Sequence, residues 1–479
     1  MNSGNSPSSR GQTLRELALP GITIEVAESI SGSFPDYDGS LLPIASVFRV
    51  RGVARLTPGS CITFELWLPE NGWDGRYYQL GNGGFAGNIN YSSLALYSAR
   101  GNAVAVTDTG HGGGGGSGFD ARWATGQPEA VIDYGHRSIK VTSDACAALI
   151  RFFFDRPAAH RYYVGCSNGG RQALMAAQRY PDDWDGIVAV APANCWTRQL
   201  TLLAELQHHL WSVPGAWVPP AKLPAIQRAA LAACPPDTVH DRVADNPELC
   251  VFDPAQMIGD SEERDDCLTA AQADSVRRIM AAGYDPTTAA VPDNWSMLIV
   301  NPDPEAPSQR IFATQAFRHL LGNDPLWNIA DFDAARDIAD ATMCATLDAV
   351  GSYDRFRERG GRIISAFGWA DALISPVAGL DSYRRLVSET GGAEATQAFY
   401  RLFMVPGMMH CQGGPGPDCF GQSVLAPARQ DDRRHSICRA IEAWVEDDLA
   451  PDELVAARYV DGDRAKGVVG TRILYPENG

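Results

Sequence analysis

The chain has 479 residues, more than one hydrophobic core usually holds, so two domains or one enlarged domain is the expectation. Hydrophobic residues make up 45% and charged residues 20%, the range of an ordinary globular protein. A net charge of −17, with no block of Lys or Arg, argues against nucleic acid or an anionic membrane surface as partner.

Residues 1–18 are polar and rich in Ser and Gly and read as a disordered lead-in. They contain no apolar stretch of the kind a secretory signal needs, so the expected address is the cytoplasm. No segment has the uncharged apolar length of a membrane helix. Ile62–Leu68 alternates like a strand, and Tyr77–Leu80 is a short strand running into the loop Gly81–Gly87. Ala103–Val106 is another strand, followed by a glycine run, Gly112–Gly116, read as a flexible loop. It lacks the Gly-Lys-Ser/Thr of a phosphate loop. A helix is expected over about Tyr134–Phe154, a strand over Tyr162–Val164, a helix over Arg171–Tyr180 and a strand over Gly186–Val190. Strands alternating with helices imply a parallel sheet. From about Thr197 to Thr346 the rhythm becomes helical and loop-like, as in an insertion. The strand–helix rhythm returns with strands at Arg362–Phe367 and Phe399–Val405, and a closing helix is expected over about Ser436–Asp448. The eleven cysteines form no CxxC pair, which removes support for a zinc knuckle, and their odd number leaves at least one outside any intrachain disulfide.

Gly165-x-Ser167-x-Gly169 matches the nucleophile elbow of the α/β-hydrolase fold. The turn from strand to helix is so sharp that only small residues fit beside the serine, which then sits at a helix N-terminus where backbone N–H groups stabilise an anion. The bare pattern is weak in a Gly-rich chain, but a β-like run precedes it and a helix-forming run follows. A serine of ordinary pKa needs a base. In this fold an Asp and then a His follow, each after a later strand. Asp371 and His410 occupy those places. His111 comes too early, His208 and His209 lie in the insertion, and His435 lies in a polar loop. The oxyanion needs two donors, expected from the N–H of Asn168 and from the Gly83–Gly84 region. Cys166 precedes the serine and Cys411 follows the histidine, so they form either a disulfide or two buried thiols.

Taken together these residues resemble the tannase and feruloyl esterase family, which includes the mono(hydroxyethyl) terephthalate hydrolases. The resemblance rests on Cys166-Ser167, Asp371 and His410-Cys411, and on Trp73-Asp74-Gly75-Arg76, Gly81-Asn82-Gly83-Gly84-Phe85-Ala86-Gly87, Thr107-Asp108-Thr109-Gly110-His111, Gly368-Trp369-Ala370-Asp371-Ala372-Leu373-Ile374 and Pro406-Gly407-Met408-Met409-His410-Cys411. It implies an α/β-hydrolase core of mostly parallel sheet with helices on both faces, residues 19–196 and 347–479, with an inserted lid at 197–346. It also implies a Cys166–Cys411 disulfide. Phe85, Trp369 and Ile374 become candidates to touch substrate, and Trp211, Trp217, Phe312, Phe317 and Trp327 candidates to line the acyl pocket.

The family's lid holds a structural calcium, and here that loop is degenerate. Asp237 and Asp241 and the carbonyls of Val239 and Val243 remain as ligands, the first carboxylate is missing, and Thr238 and Arg242 replace two glycines. Cys234 and Cys250 can still close the loop. Cys267 lacks its usual upstream partner, with Ile258 or Gly259 near that place, and Phe48 stands near a common N-terminal cysteine. Fewer paired cysteines and a degraded loop suit an intracellular setting, although the family is usually secreted. The reading is a serine esterase of small aromatic or phenolic acid esters that needs no cofactor for catalysis. The rivals are an intracellular hydrolase, lactonase or acyltransferase acting on a natural product, and a non-catalytic binding protein on the same fold.

Overall fold

The structure, a computed structural model, describes residues 13–112, 118–259, 264–322 and 324–478. It divides into two compact units: residues up to 189 with 345–363, and 190–344 with 364–479. The expected insertion at 197–346 thus falls almost wholly in the second unit, together with the chain's C-terminal part. Of the expected lead-in, residues 1–12 lie outside the described residues. Thr13–Arg15 form a helical turn that buries Leu14, so the end of that segment is structured. Most of the glycine run, 113–116, also lies outside the described residues.

The first unit opens with two long strands absent from the sequence-based expectation, β1 (Ile22–Pro35) and β2 (Leu41–Ala54), paired antiparallel. Next come β3 (Ile62–Pro69), fully buried and antiparallel to β2, β4 (Arg76–Leu80), helix α1 (Tyr91–Ala99) and β5 (Ala103–Thr107). They are followed by α2 (Ser138–Phe154), β6 (His160–Cys166), α3 (Asn168–Arg179) and β7 (Gly186–Val190). The strand order is β1-β2-β3-β5-β4-β6-β7. β4 runs parallel to both β5 and β6, with Leu80 opposite Val164. Parallel strands end on the same side of a sheet, so the loops after β4 and β6 leave it side by side. α2 starts four residues later than expected. A wide π-helical turn, Asp133–Arg137, precedes it, and there Gly135 packs so closely on the Thr346 carbonyl that a Cβ does not fit.

The second unit contains α4 (Trp196–Ser212), α5 (Leu223–Ala232), the short hairpin β8 (Val239–His240) and β9 (Val243–Ala244), α6 (Ala270–Ala281) and α7 (Ser308–Gln315). Strand β10 (Arg362–Gly368), helix α8 (Pro376–Thr390) and strand β11 (Tyr400–Val405) follow, β10 lying next to β11. The chain closes with α9 (Ile437–Asp447) and the antiparallel pair β12 (Leu454–Tyr459) and β13 (Val468–Leu474). Helix starts follow capping chemistry. Thr269 and Gln272 make a reciprocal capping box on α6, Ser375 caps α8 with Pro376 at its first turn, and Ser436 caps α9. The fold is of the α/β class expected, with a large, mostly parallel sheet accompanied by helices.

Gly259 resolves which residue stands opposite Cys267: a side chain built there meets the Cys267 Cβ and Sγ at 2.7 Å. Introducing Gly259→Cys is expected to form a disulfide with Cys267 under oxidising conditions. Closing so short a loop adds at most about 2.5 kcal/mol. Because a disulfide needs roughly 3.5–4.5 Å between Cβ atoms, the backbone has to give way slightly. Peptide mapping that finds two thiols at these positions would reject the pairing.

Candidate active site

In the first unit, β6 ends at Cys166 and the chain turns at once into α3. Ser167, the residue at the turn, is buried and has φ 62° and ψ −125°. A side chain other than hydrogen is strained there. A Cβ at Gly165 would collide with the Gly169 backbone, and one at Gly169 would press on the backbone of Gly81 and Asn82 at 3.0–3.2 Å, which explains why the motif favours glycine at both positions. Cys166 is disulfide-bonded.

The next residue, Asn168, is fully buried at the start of α3, and its side-chain oxygen accepts from Arg171 Nε at 2.7 Å. Arg171 was not anticipated. Its guanidinium is wholly buried, donates to the carbonyls of Gly135 (2.9 Å), Leu347 (2.8 Å) and Tyr134 (3.2 Å), and lies over the Tyr134 ring. Burial holds its pKa below the usual arginine value. A lone charge on the buried face of a Gly- and Ala-rich helix was the available signal, because such a residue must have a polar job.

The Gly81–Gly87 loop is rigid in the same unit. Asn82 N–H donates to Gln172 at 2.9 Å, and its amide donates to the carbonyls of Asn88 and Thr107. Gly84 has φ 53°, and its carbonyl accepts from Tyr134 Oη at 2.9 Å. Gly83 is exposed, with open space where a side chain would be. Phe85 is buried, and its carbonyl accepts from Trp123 Nε1 at 3.1 Å and is 2.9 Å from His111 Nε2. Burial against Trp123 pushes the His111 pKa down to about 4, so this imidazole is neutral at pH 7.

In the second unit, Asp371 is fully buried in the loop after β10. One carboxylate oxygen accepts from the N–H groups of Leu373 (2.8 Å) and Ile374 (2.9 Å), and the other lies 2.8 Å from His410 Nδ1. The acceptor role of the carboxylate puts the imidazole proton on Nδ1 and leaves Nε2 as the basic nitrogen. His410 itself is half-buried in the loop after β11. The two loops meet through backbone, Ala370 N–H donating to the Met408 carbonyl at 3.0 Å. Gly368 lies so close to that carbonyl that any side chain would collide. Cys411 follows with φ 67°, is disulfide-bonded, and its carbonyl accepts from Gln422 at 3.1 Å.

Side chains from residues 199–309 grip the Asp371 loop. Asn294 donates to the Ala370 carbonyl at 3.1 Å, Gln309 to Ala372 at 2.7 Å, and Gln199 and Tyr284 to Leu373 at 3.0 and 3.3 Å. No sequence pattern marked these four. Trp369 and Ile374 are buried beside this loop. The aromatic candidates mostly pair with one another: Trp211 with Trp217, Phe317 with Trp327, and Phe312 with Trp196.

Asp285 follows Tyr284 and bonds within its own turn, to Thr287 and Thr288. It is buried without a cation, accepts from the Thr287 N–H and hydroxyl, and its pKa is pushed up to about 6 by burial. A carboxyl raised in the folded state favours folding below its unfolded pKa and loses that advantage as pH rises through about 6. Wild-type stability should therefore fall, relative to Asp285→Asn, by at most about 3 kcal/mol between pH 4 and pH 7. Urea midpoints measured for both proteins across that range check this, and parallel curves would refute it.

The degenerate loop is a hairpin whose two turn residues, Asp241 and Arg242, have φ 50° and 65°, closed by the Cys234–Cys250 disulfide. Asp245 beside it is taken by Arg472 at 2.6 Å and His240 at 3.3 Å. Among the described residues no group of three or more His, Cys, Asp or Glu is arranged to hold a metal. Asp237 and Asp241 with the Val239 and Val243 carbonyls offer only two carboxylates, beside the Arg242 cation, a weak donor set for an ion that takes six to eight oxygens. Also among the described residues, no helix is long and apolar enough to cross a membrane.

The profile of the family described as tannase and feruloyl esterase matches residues 48–295 and 313–478. The chain belongs to that family. It is a carboxylic-ester hydrolase. It is 37% identical to an uncharacterized esterase of Xanthomonas campestris pv. campestris, over 99% of this chain and 88% of that protein. It is 30% identical to a probable feruloyl esterase B-1 of Aspergillus terreus, over 96% of this chain and 89% of that one. The crystal structure of an esterase from Aspergillus oryzae superposes with a TM-score of 0.87 at 25% identity, covering 98% of this chain and 96% of the other. The fold is thus that of the α/β-hydrolase esterases of this family.

Proposed function

We propose that the chain hydrolyses esters of small aromatic or phenolic acids, such as ferulates or gallates, through an acyl-enzyme on Ser167. The observation that carries this reading is the buried Asp371 carboxylate 2.8 Å from His410 Nδ1, which leaves Nε2 as the proton acceptor. In the proposed reaction His410 takes the Ser167 proton as the oxygen attacks the ester carbonyl. Asp371 holds the ring and stabilises its charged form. The N–H groups of Asn168 and of the Gly83–Gly84 region receive the oxyanion. The alcohol leaves with the proton from His410, and water, activated the same way, releases the acid.

The strained turn at Ser167 and the start of the twelve-residue helix α3 support the nucleophile role. We also take Cys166 and Cys411 to be each other's partner, since both are disulfide-bonded and Cys234 pairs with Cys250. Such a bond ties the serine turn to the histidine loop. Catalysis on this scheme uses no cofactor, and we assign the hairpin at Asp241 no calcium. The aromatic acyl group follows the likeness to the probable feruloyl esterase B-1 of Aspergillus terreus. Methyl ferulate and an alkyl gallate should be turned over faster than a lactone panel. If a lactone is the preferred substrate by kcat/KM, the natural-product reading takes its place.

A further inference from the structure

A cleft of about 290 Å³ in the second unit is lined by the residues after β7, by α4, and by the start of α8. Two guanidiniums, Arg198 on α4 and Arg385 on α8, line it. Both are exposed, and among the described residues neither is in an ion pair. The chain as a whole carries a net charge of −17, so two unpaired guanidiniums on one cleft stand against its general charge. The one acidic lining residue, Asp381, faces Arg384 at 3.5 Å. The N-terminus of the fifteen-residue α8, capped by Ser375, also opens here and adds its positive dipole end. The lining also includes the apolar side chains Leu202, Ala282, Ile374 and Val377.

We propose that this cleft binds a small aromatic carboxylate, its anionic end between Arg198 and Arg385 and its ring on the apolar lining. Guanidinium groups suit a carboxylate because each presents paired N–H donors that match its two oxygens. The apolar lining favours a carboxylate that carries a ring over a bare anion, and the volume suits a single-ring acid. Gln199 lines the same cleft and donates to the Leu373 carbonyl, in the loop that carries Asp371. An occupant therefore rests against the peptide whose N–H groups hold the Asp371 carboxylate. The chemistry named coincides with the acid product of the proposed reaction, but the inference stands on the cleft's own charges and lining.

The test is calorimetric titration of the full chain with sodium benzoate, and with sodium acetate and sodium sulfate at matched ionic strength. Benzoate should bind in the millimolar range or tighter, acetate and sulfate more weakly. Arg198→Ala and Arg385→Ala should each weaken benzoate roughly tenfold, with partial recovery in Arg198→Lys. Benzoate affinity within twofold of wild type in the Arg198→Ala, Arg385→Ala double variant would overturn the proposal, and so would equal affinity for acetate. Hydrolysis of methyl ferulate is measured on the same preparations. Protein that binds benzoate through these arginines and does not hydrolyse methyl ferulate sinks the aromatic-ester reading and upholds the cleft. Active enzyme with no arginine-dependent binding does the reverse.

Discussion

Replacing Ser167 with glycine should abolish ester hydrolysis and, in the same protein, raise the melting temperature. The activity term is the larger. Loss of the nucleophile from a serine triad lowers kcat by about 10⁶-fold, because His410 and Asp371 then have no hydroxyl to activate. The stability term comes from the backbone. Ser167 sits at φ 62° and ψ −125°, where a Cβ costs about 1–3 kcal/mol and glycine costs nothing sterically. Glycine gives back about 0.5–1 kcal/mol through its more mobile unfolded chain. The net is a gain of about 1 kcal/mol. Ser167→Ala separates the two effects: it should be equally inactive without the gain, since alanine keeps the Cβ. Calorimetry and steady-state assay of the three proteins decide the matter. An active alanine variant removes Ser167 from the mechanism, and identical melting of the glycine and alanine variants removes the strain.

Asp371→Asn is expected to leave the fold intact and lower kcat by about 10⁴-fold. One Asp371 oxygen accepts from two backbone N–H groups, so the asparagine oxygen should take that place and preserve the loop. Its amide then faces His410 Nδ1, where the carboxylate oxygen was. An N–H donor there selects the tautomer with the proton on Nε2, the nitrogen that has to accept from serine. Unchanged circular dichroism with kcat reduced by that order is the expected result. Activity within tenfold of wild type would mean that Asp371 does not set the tautomer.

The parts of this molecule legible in the sequence share one property: local chemistry dictated them. The run ending at Cys166, the Ser167 turn and the helix after it were readable because a strand, a small-residue turn and a helix former follow one another. β7 and β10 were readable as short apolar runs. β1 and β2 were not, because two bulges, between Ile24 and Val26 and between Ile30 and Gly32, break the alternation, and much of β1 faces solvent. The Asp371–His410 pair was reached through strand order. What holds it was invisible, since Asn294, Gln309, Gln199 and Tyr284 lie 63 to 174 residues from the carbonyls they bind. Arg171 lay in between, an odd charge on a buried face with partners that only the fold supplies.

Those four long-range bonds carry a consequence for anyone who would retarget this enzyme. Residues 197–346 read in the sequence like an exchangeable cassette, a piece to swap with a relative's. Yet they also supply the donors that anchor the peptide around Asp371. A graft that lacks these donors is expected to lose the register of Asp371 whatever else it brings. A graft that keeps glutamine, tyrosine, asparagine and glutamine at 199, 284, 294 and 309 retains it. On the proposed mechanism, residues 197–346 are tied to the proton-transfer pair through these four donors.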